Sequence, residues 1–179
     1  MNQERRLTTV DIVLAGVFSA LWAILNLTLG PLGFAWFGLP IFCDFAVFFT
    51  LLLAAWATGK FGVASLVGIV GSVIVLAIRP VPVNAVFAIS AIVFDLILSA
   101  CHHKLILRAF NMTISALAVL VSAYLAGAII GTFFMNRPFD WALTFWGGWH
   151  TVGGVISLVI TLPIFGILER ANVRKINGT

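Results

Sequence analysis

The sequence predicts an all-α integral membrane protein whose six transmembrane helices form one compact bundle. Of its 179 residues, 62% are hydrophobic and only 9% are charged, and the mean hydropathy is +1.16. A soluble domain is about half apolar and about a quarter charged. Apolar runs also recur at lengths near the roughly 20 residues that a helix needs to cross a bilayer. We therefore expect a single membrane domain over residues 1–179.

Glycine, proline and charged residues divide the chain into its predicted spans. The connector at residues 79–83 contains two prolines, which cannot continue a helix, and Gly59-Lys60 is typical of a tight turn. Residues 30–40 contain three glycines and two prolines, and we expect a loop there. The predicted spans are residues 10–29, 41–58, 61–78, 84–100, 111–134 and 141–168.

The distribution of Lys and Arg predicts the orientation. With the N-terminus inside, eight of the ten basic residues lie on the inner side, and only Arg79 and Arg137 lie outside. Cytoplasmic loops carry this excess of positive charge. We therefore expect a multi-pass protein of the cell membrane with both termini in the cytoplasm. The net charge of +4 then reflects contact with anionic lipid and not with nucleic acid.

Asp44 is the most informative polar residue, because it lies four positions into the second span. An ionised carboxylate at that depth is costly unless it is paired. It could contact a cationic or hydrogen-bond-donating ligand. It could equally pair with Arg79 or Arg137, or extend to the lipid headgroups.

The first turns of the last span place Trp146, Trp149 and His150 three or four residues apart, on one predicted helical face. Aromatic walls suit a flat heterocycle, and a Trp ring also attracts cations. The alternative is an interfacial Trp belt. Neighbouring glycine pairs at 147–148 and 153–154 leave room for a ligand or another helix.

The predicted orientation brings these residues to the outer side together with several others, while the middle of the spans is almost wholly apolar. An ion relay needs ionisable groups at successive depths, so a pocket open to one side is the better hypothesis. The expected substrate-binding residues are Asp44, Trp36, Asn84, Trp146, Trp149, His150, Asn26 and Arg79.

Polar residues near the inner side suggest structural roles. Asp95 requires a partner such as Ser19, or a group on the first or fifth span, and a structural hydrogen bond is the favoured interpretation. His102 and His103 are adjacent and do not share a helix face, so they are not expected to bind a metal. We expect no metal and no cofactor, and the chain lacks nucleotide-binding motifs.

The first span carries small residues at four-residue spacing, Ala15 with Ser19 and Gly16 with Ala20. Such spacing allows helices to approach closely in lipid. With its size, six spans and outer-facing aromatic pocket, the chain resembles a substrate-binding S component of an energy-coupling factor (ECF) transporter. Family members carry an Ala-x-x-x-Ala element in helix 1, and here the corresponding stretch reads Ala15-x-x-x-Ser19 beside Gly16-x-x-x-Ala20.

The resemblance implies a high-affinity binding subunit, not an enzyme, for a water-soluble vitamin or precursor. Its partners would be a transmembrane T component, docked on the small residues of the first span, and two cytoplasmic ATPase subunits. The loop at residues 30–40 and the connector at residues 79–83 would gate the pocket. An acid with several aromatic residues favours a cationic or donor-rich heteroaromatic compound, such as thiamine or its pyrimidine precursor. Riboflavin, pyridoxine, biotin, a corrinoid and a deazapurine precursor are the other candidates.

Two other functions compete with this interpretation. A small secondary carrier or channel, acting as a homo-oligomer, would need a polar path through the apolar middle of the spans. A small membrane enzyme would need a catalytic set, and His150 with Asp44 is the pair that such a set would use. The sequence contains no HExxH or GxSxG motif to support it.

Overall fold

The computed structural model describes residues 6–103, 105 and 109–171. Within these residues the chain forms helices and no strand. We number the six long elements α1 (Thr9–Phe37), α2 (Ile41–Thr58), α3 (Val63–Ile78), α4 (Pro82–Cys101), α5 (Ala109–Phe134) and α6 (Phe139–Arg170). The basic residues Arg5, Lys104, Arg108, Arg174 and Lys175, which contributed to the predicted orientation, lie outside the described residues.

Helix α1 is longer than the sequence suggested, and the prediction of a loop over residues 30–40 was wrong. A capping box between Thr8 and Asp11 begins the helix, and Gly38, with a φ of 68°, ends it. Pro31 lies inside the helix and removes one backbone donor. In an apolar environment a continuing helix satisfies the remaining backbone groups better than a loop does. The connection to α2 therefore shrinks to residues 38–40.

The six helices form a closed ring in the order α1, α2, α6, α5, α4, α3, with α3 returning to α1. Helix α2 also contacts α3 and α5 across the ring, and it is the most buried of the long apolar helices. A residue on α2 therefore reaches most of the other helices. Asp44 lies in the first turn of this helix and is fully buried.

The bundle has an apolar exterior and polar groups inside. Large apolar side chains such as Ile12, Val17, Val73 and Val159 are more than half exposed, whereas Asp44 and Asp95 are fully buried. Water-soluble proteins do not cover long helices with exposed aliphatic side chains. Lipid is the solvent that suits this exterior.

Five helices, all except α3, are long and apolar enough to cross a membrane. Together they indicate a multi-pass membrane protein. Helix α3 has 16 residues and spans about 24 Å at 1.5 Å per residue, less than the hydrocarbon thickness of about 30 Å. It packs between α1 and α4, so the span predicted over residues 61–78 is a shorter apolar helix of the bundle.

One end of the bundle, which we call the Lys60 end, is organised by two buried carboxylates. Lys60 Nζ lies 2.8 Å from Oδ2 of Asp11. Oδ2 of Asp95 accepts hydrogen bonds from the backbone N–H groups of Gly62 and Ser65, where α3 begins. A carboxylate there satisfies free donors of the helix and complements its dipole.

Asp95 therefore has the structural role that the sequence favoured, with different partners. Its Oδ1 lies 2.9 Å from Nε2 of His103, which is itself buried. The partner suggested from the sequence, Ser19, instead donates to the carbonyl oxygen of Ala15 at 2.7 Å. His103 belongs to this structural cluster, while His102 is exposed.

Close packing of α1 against α3 depends on a glycine. The indole of Trp22, only 1% exposed, lies against Gly71, where an added Cβ atom would be 1.8 Å from the Trp22 ring. Any side chain at residue 71 must push the ring away, and the ring also packs edge-on against Phe87 at 6.2 Å.

We predict that Gly71→Ala lowers the free energy of unfolding by about 1–3 kcal/mol, because the added methyl group overpacks a filled interface. The matched control is Gly148→Ala, since a Cβ atom at Gly148 meets nothing within 4 Å. Thermal unfolding in detergent should show a lower midpoint for the first variant only. Equal midpoints for the two variants would contradict this packing.

Candidate binding site

A cavity of about 230 Å³ lies at the end of the bundle opposite the Lys60 end. It is formed where the C-terminal half of α1 and the α3–α4 connector meet α4, α5 and the start of α6. Its lining residues are Asn26, Phe34, Cys43, Arg79, Val81, Val83, Asn84, Phe87, Ile130, Trp146 and His150. Arg79 is exposed, whereas His150 is buried, so the cavity extends from the surface into the bundle.

The close approach of α2 and α6 decides which side chains lie behind the cavity wall. A Cβ atom at Gly153 would lie 2.5 Å from the carbonyl oxygen of Ile41 and 2.8 Å from Cβ of Asp44. Only glycine permits this approach. As a result, the residue one turn before Gly153 on α6, His150, comes to lie beside Asp44.

Asp44 and His150 form a buried contact, with 2.8 Å between Oδ2 and Nδ1. The two side chains are 0% and 1% exposed. Removing one partner would leave the other as an uncompensated buried group.

The close packing of α5 against α6 holds the imidazole from the other side. A Cβ atom at Gly127 would lie 2.8 Å from both Cβ and Cδ2 of His150. Gly147 in turn packs against the ring of Tyr124. The imidazole is therefore enclosed between α2 and α5, which leaves Nε2 as the ring nitrogen that Asp44 does not engage.

Two π-helical turns shape the cavity. The backbone N–H of Met135 donates to the carbonyl oxygen of Ile130, and that of Gly147 donates to Ala142, each five residues earlier. Single π turns inside α-helices widen the helix locally and are frequent at functional sites. Ile130 begins the first π turn and Trp146 ends the second, and both line the cavity.

A continuous row of rings leads from the surface into the bundle. Trp141 stacks on Trp146 at 5.6 Å, and Trp146 packs edge-on against His150 at 5.7 Å. Phe87 lies 6.3 Å from His150 on the inner side. At the outer end, the guanidinium of Arg137 lies 5.7 Å from the Trp141 ring. Such contacts fix ring orientations, so the aromatic wall is preformed.

Three lining side chains carry buried nitrogen atoms without a protein hydrogen-bond partner among the described residues: Asn26 Nδ2, Trp146 Nε1 and His150 Nε2. Each residue is at most 6% exposed. Buried polar atoms in native proteins are nearly always hydrogen-bonded, and exceptions require an explanation. A polar ligand in the cavity would satisfy them.

Five of the eight substrate-binding residues expected from the sequence line this cavity: Asn26, Arg79, Asn84, Trp146 and His150. Asp44 lies behind His150 and does not reach the cavity wall. It also pairs with neither Arg79 nor Arg137, the two alternatives considered from the sequence.

The other two expected residues lie elsewhere. Trp36 is 65% exposed and contacts Phe37 and Phe42. Trp149 packs edge-on against Phe145 and is only partly buried. It directly precedes His150, and adjacent residues lie about 100° apart around a helix, so the two side chains leave α6 in different directions. Neither residue lines the cavity.

The lining residues that the sequence did not indicate are mostly apolar: Phe34, Cys43, Val81, Val83, Phe87 and Ile130. Apolar residues resemble the rest of the spans, so composition does not single them out. Phe87 could have been predicted from the sequence, because it follows Asn84 by three residues and so shares a helical face with it. Phe34 was missed because residues 30–40 were predicted to be a loop.

The small residues of α1 divide between two faces. Ala15 and Ser19 are buried in the bundle, whereas Gly16 and Ala20 are exposed beside Val13 and Val17. A Cβ atom at Gly16 would meet nothing within 4 Å. Of the two spacings read from the sequence, only Gly16-x-x-x-Ala20 is accessible to another protein.

No group of three or more His, Cys, Asp or Glu side chains within the described residues is arranged to hold a metal ion. Comparison of the chain with protein-family models, with curated proteins and with solved structures found no match. The candidate site therefore rests on the geometry of the cavity.

We predict that Asp44→Asn and His150→Gln each lower the free energy of unfolding by about 3–5 kcal/mol, because each leaves one member of a buried pair without its partner. The double variant should lose less than the sum of the two. Asp140→Asn, at an exposed acid near the same end, is the control. Additive losses in thermal or denaturant unfolding would show that the pair does not interact.

Proposed function

We propose that this protein is the substrate-binding S component of an ECF-type importer for a small water-soluble vitamin or precursor. The observation that carries the proposal is the preformed cavity, which opens at one end of the bundle and contains buried donors without protein partners. A binding subunit needs such a site, since concave, largely apolar walls with a few polar groups are typical of small-molecule sites.

The proposed orientation places the cavity outside the cell. Arg79 and Arg137 are at the cavity end, while Arg6, Lys60 and Arg170 are at the Lys60 end. Positive charge favours the cytoplasmic side. A ligand would therefore enter from the external solution, and both termini would be cytoplasmic in the cell membrane.

The exposed face of α1 supports a partner in the membrane. Gly16 and Ala20 are exposed on the lipid-facing surface of α1, next to Val13 and Val17, and their small side chains leave a shallow depression there. Small residues at this spacing allow a second helix to approach closely, and van der Waals packing drives such association in lipid. We propose that a T component docks here and couples the subunit to two cytoplasmic ATPases.

The ligand-binding step is testable with the isolated chain. Purified protein, without any ATPase, should bind one member of a panel of vitamins and precursors, including thiamine and its pyrimidine precursor. Binding should quench Trp fluorescence, since Trp146 lines the cavity. A complete panel without a ligand would contradict the proposal, and copurification with a T component and ATPases would separate it from a carrier or an enzyme.

The docking step predicts a split between binding and uptake. Gly16→Leu should abolish uptake in cells that make the T component and ATPases, because the side chain blocks the close approach, while ligand binding by the purified variant stays unchanged. Thr113→Leu is the matched control, because Thr113 is exposed in the first turns of a different helix, α5. Normal uptake by the Gly16 variant would exclude this surface.

A further inference from the structure

The cavity presents a cation and donors, and no carboxylate, to a ligand. Among the described residues that line it, Arg79 is the only lysine or arginine, and none is an aspartate or a glutamate. No carboxylate among the described residues forms an ion pair with Arg79. Asp44, which contacts Nδ1 of the lining residue His150, is itself 0% exposed and is not among the lining residues.

The buried donors lie deeper than the arginine. Asn26 Nδ2 and Trp146 Nε1 can only donate hydrogen bonds, and both lack protein partners. Leaving a buried donor unsatisfied costs about 1–3 kcal/mol. A ligand with ring nitrogen or carbonyl acceptors would recover this cost, whereas a donor-rich ligand would face donors of the same kind.

The shape of the cavity limits the size of the ligand. A volume of about 230 Å³ is below the roughly 300–1,000 Å³ that is usual for drug-sized compounds. The Trp146 and Phe87 rings stand on either side of the imidazole and form flat apolar surfaces. A single aromatic ring system with one or two small substituents suits these dimensions.

We propose that the ligand is a compact heteroaromatic carboxylate, bound with its carboxylate at Arg79 and its ring acceptors toward Asn26, Trp146 and His150. A guanidinium recognises a carboxylate through two parallel hydrogen bonds. This inference rests on the proposed function as a binding subunit. It replaces the cationic ligand expected from the sequence, because the carboxylate that would have met a cation is enclosed behind His150.

The test compares three single-ring compounds of nearly equal shape that differ in charge or in the ring nitrogen, together with a larger cation. Dissociation constants for the detergent-purified full chain are measured by equilibrium dialysis with nicotinate, its neutral amide nicotinamide, benzoate, which lacks the ring nitrogen, and the cation thiamine. We expect nicotinate to bind about 10- to 150-fold more tightly than nicotinamide, as for hydrogen bonds between charged groups. Benzoate should fall between them, and thiamine should bind least.

Variants assign the preference to particular side chains. Arg79→Gln should remove the difference between nicotinate and nicotinamide, and Arg79→Lys should retain part of it. Arg137→Gln is the matched control, because Arg137 is an exposed arginine near the same end that does not line the cavity. Trp146→Phe should weaken nicotinate and nicotinamide alike, since it removes a donor and preserves the charge.

The outcomes separate this inference from the proposed function. Equal or tighter binding of nicotinamide or thiamine would overturn the carboxylate assignment and leave a binding subunit in place. Equal losses from the Arg79 and Arg137 variants would also overturn it, because the preference would then reflect the overall charge of the surface. Failure of these probes and of the full vitamin panel to bind would overturn both proposals.

Discussion

The buried contact between Asp44 and His150 is the constraint on which the candidate site depends. A carboxylate on the most enclosed helix of a membrane bundle must be compensated, and α6 supplies His150 as its partner. The contact requires Gly153 to admit the backbone of α2 and Gly127 to admit the imidazole. Once His150 is held in this way, its second ring nitrogen, the neighbouring Trp146 and the π turn before it form the wall of the cavity.

The two ends of the bundle use similar residue types for different purposes. At the Lys60 end, Asp95 is saturated by the first amides of α3 and by His103, and Asp11 is paired with Lys60. At the cavity end, Asn26, Trp146 and His150 retain polar atoms that no other described residue hydrogen-bonds. The pair Asp95–His103 therefore stabilises the bundle, whereas the pair Asp44–His150 supports the wall of a candidate binding site. The two ends differ in whether their buried polar atoms have hydrogen-bond partners within the protein.

The fold class was predictable because lipid imposes a strong rule. Backbone groups without water must form helices, and their side chains must be apolar, so composition and segment length indicated an all-helical membrane bundle. The same rule explains the error at residues 30–40, where glycine and proline suggested a loop that would have left backbone groups unsatisfied. The polar members of the cavity were also predictable, since Asn26, Arg79, Asn84 and His150 are conspicuous among apolar residues.

The sequence by itself determined the class of protein, the approximate position of each helix and the polar residues that require partners. Tertiary structure alone decided which partners they have. Helix order around the ring, with α2 between α1 and α6, brings residues 44 and 150 together across more than a hundred positions, and it turns Trp149 away from a cavity that Trp146 lines. Such choices depend on backbone approach at a few glycines, which local periodicity does not encode. The charge that the cavity presents to a ligand is therefore a property of packing, because the acid is enclosed and the arginine is not.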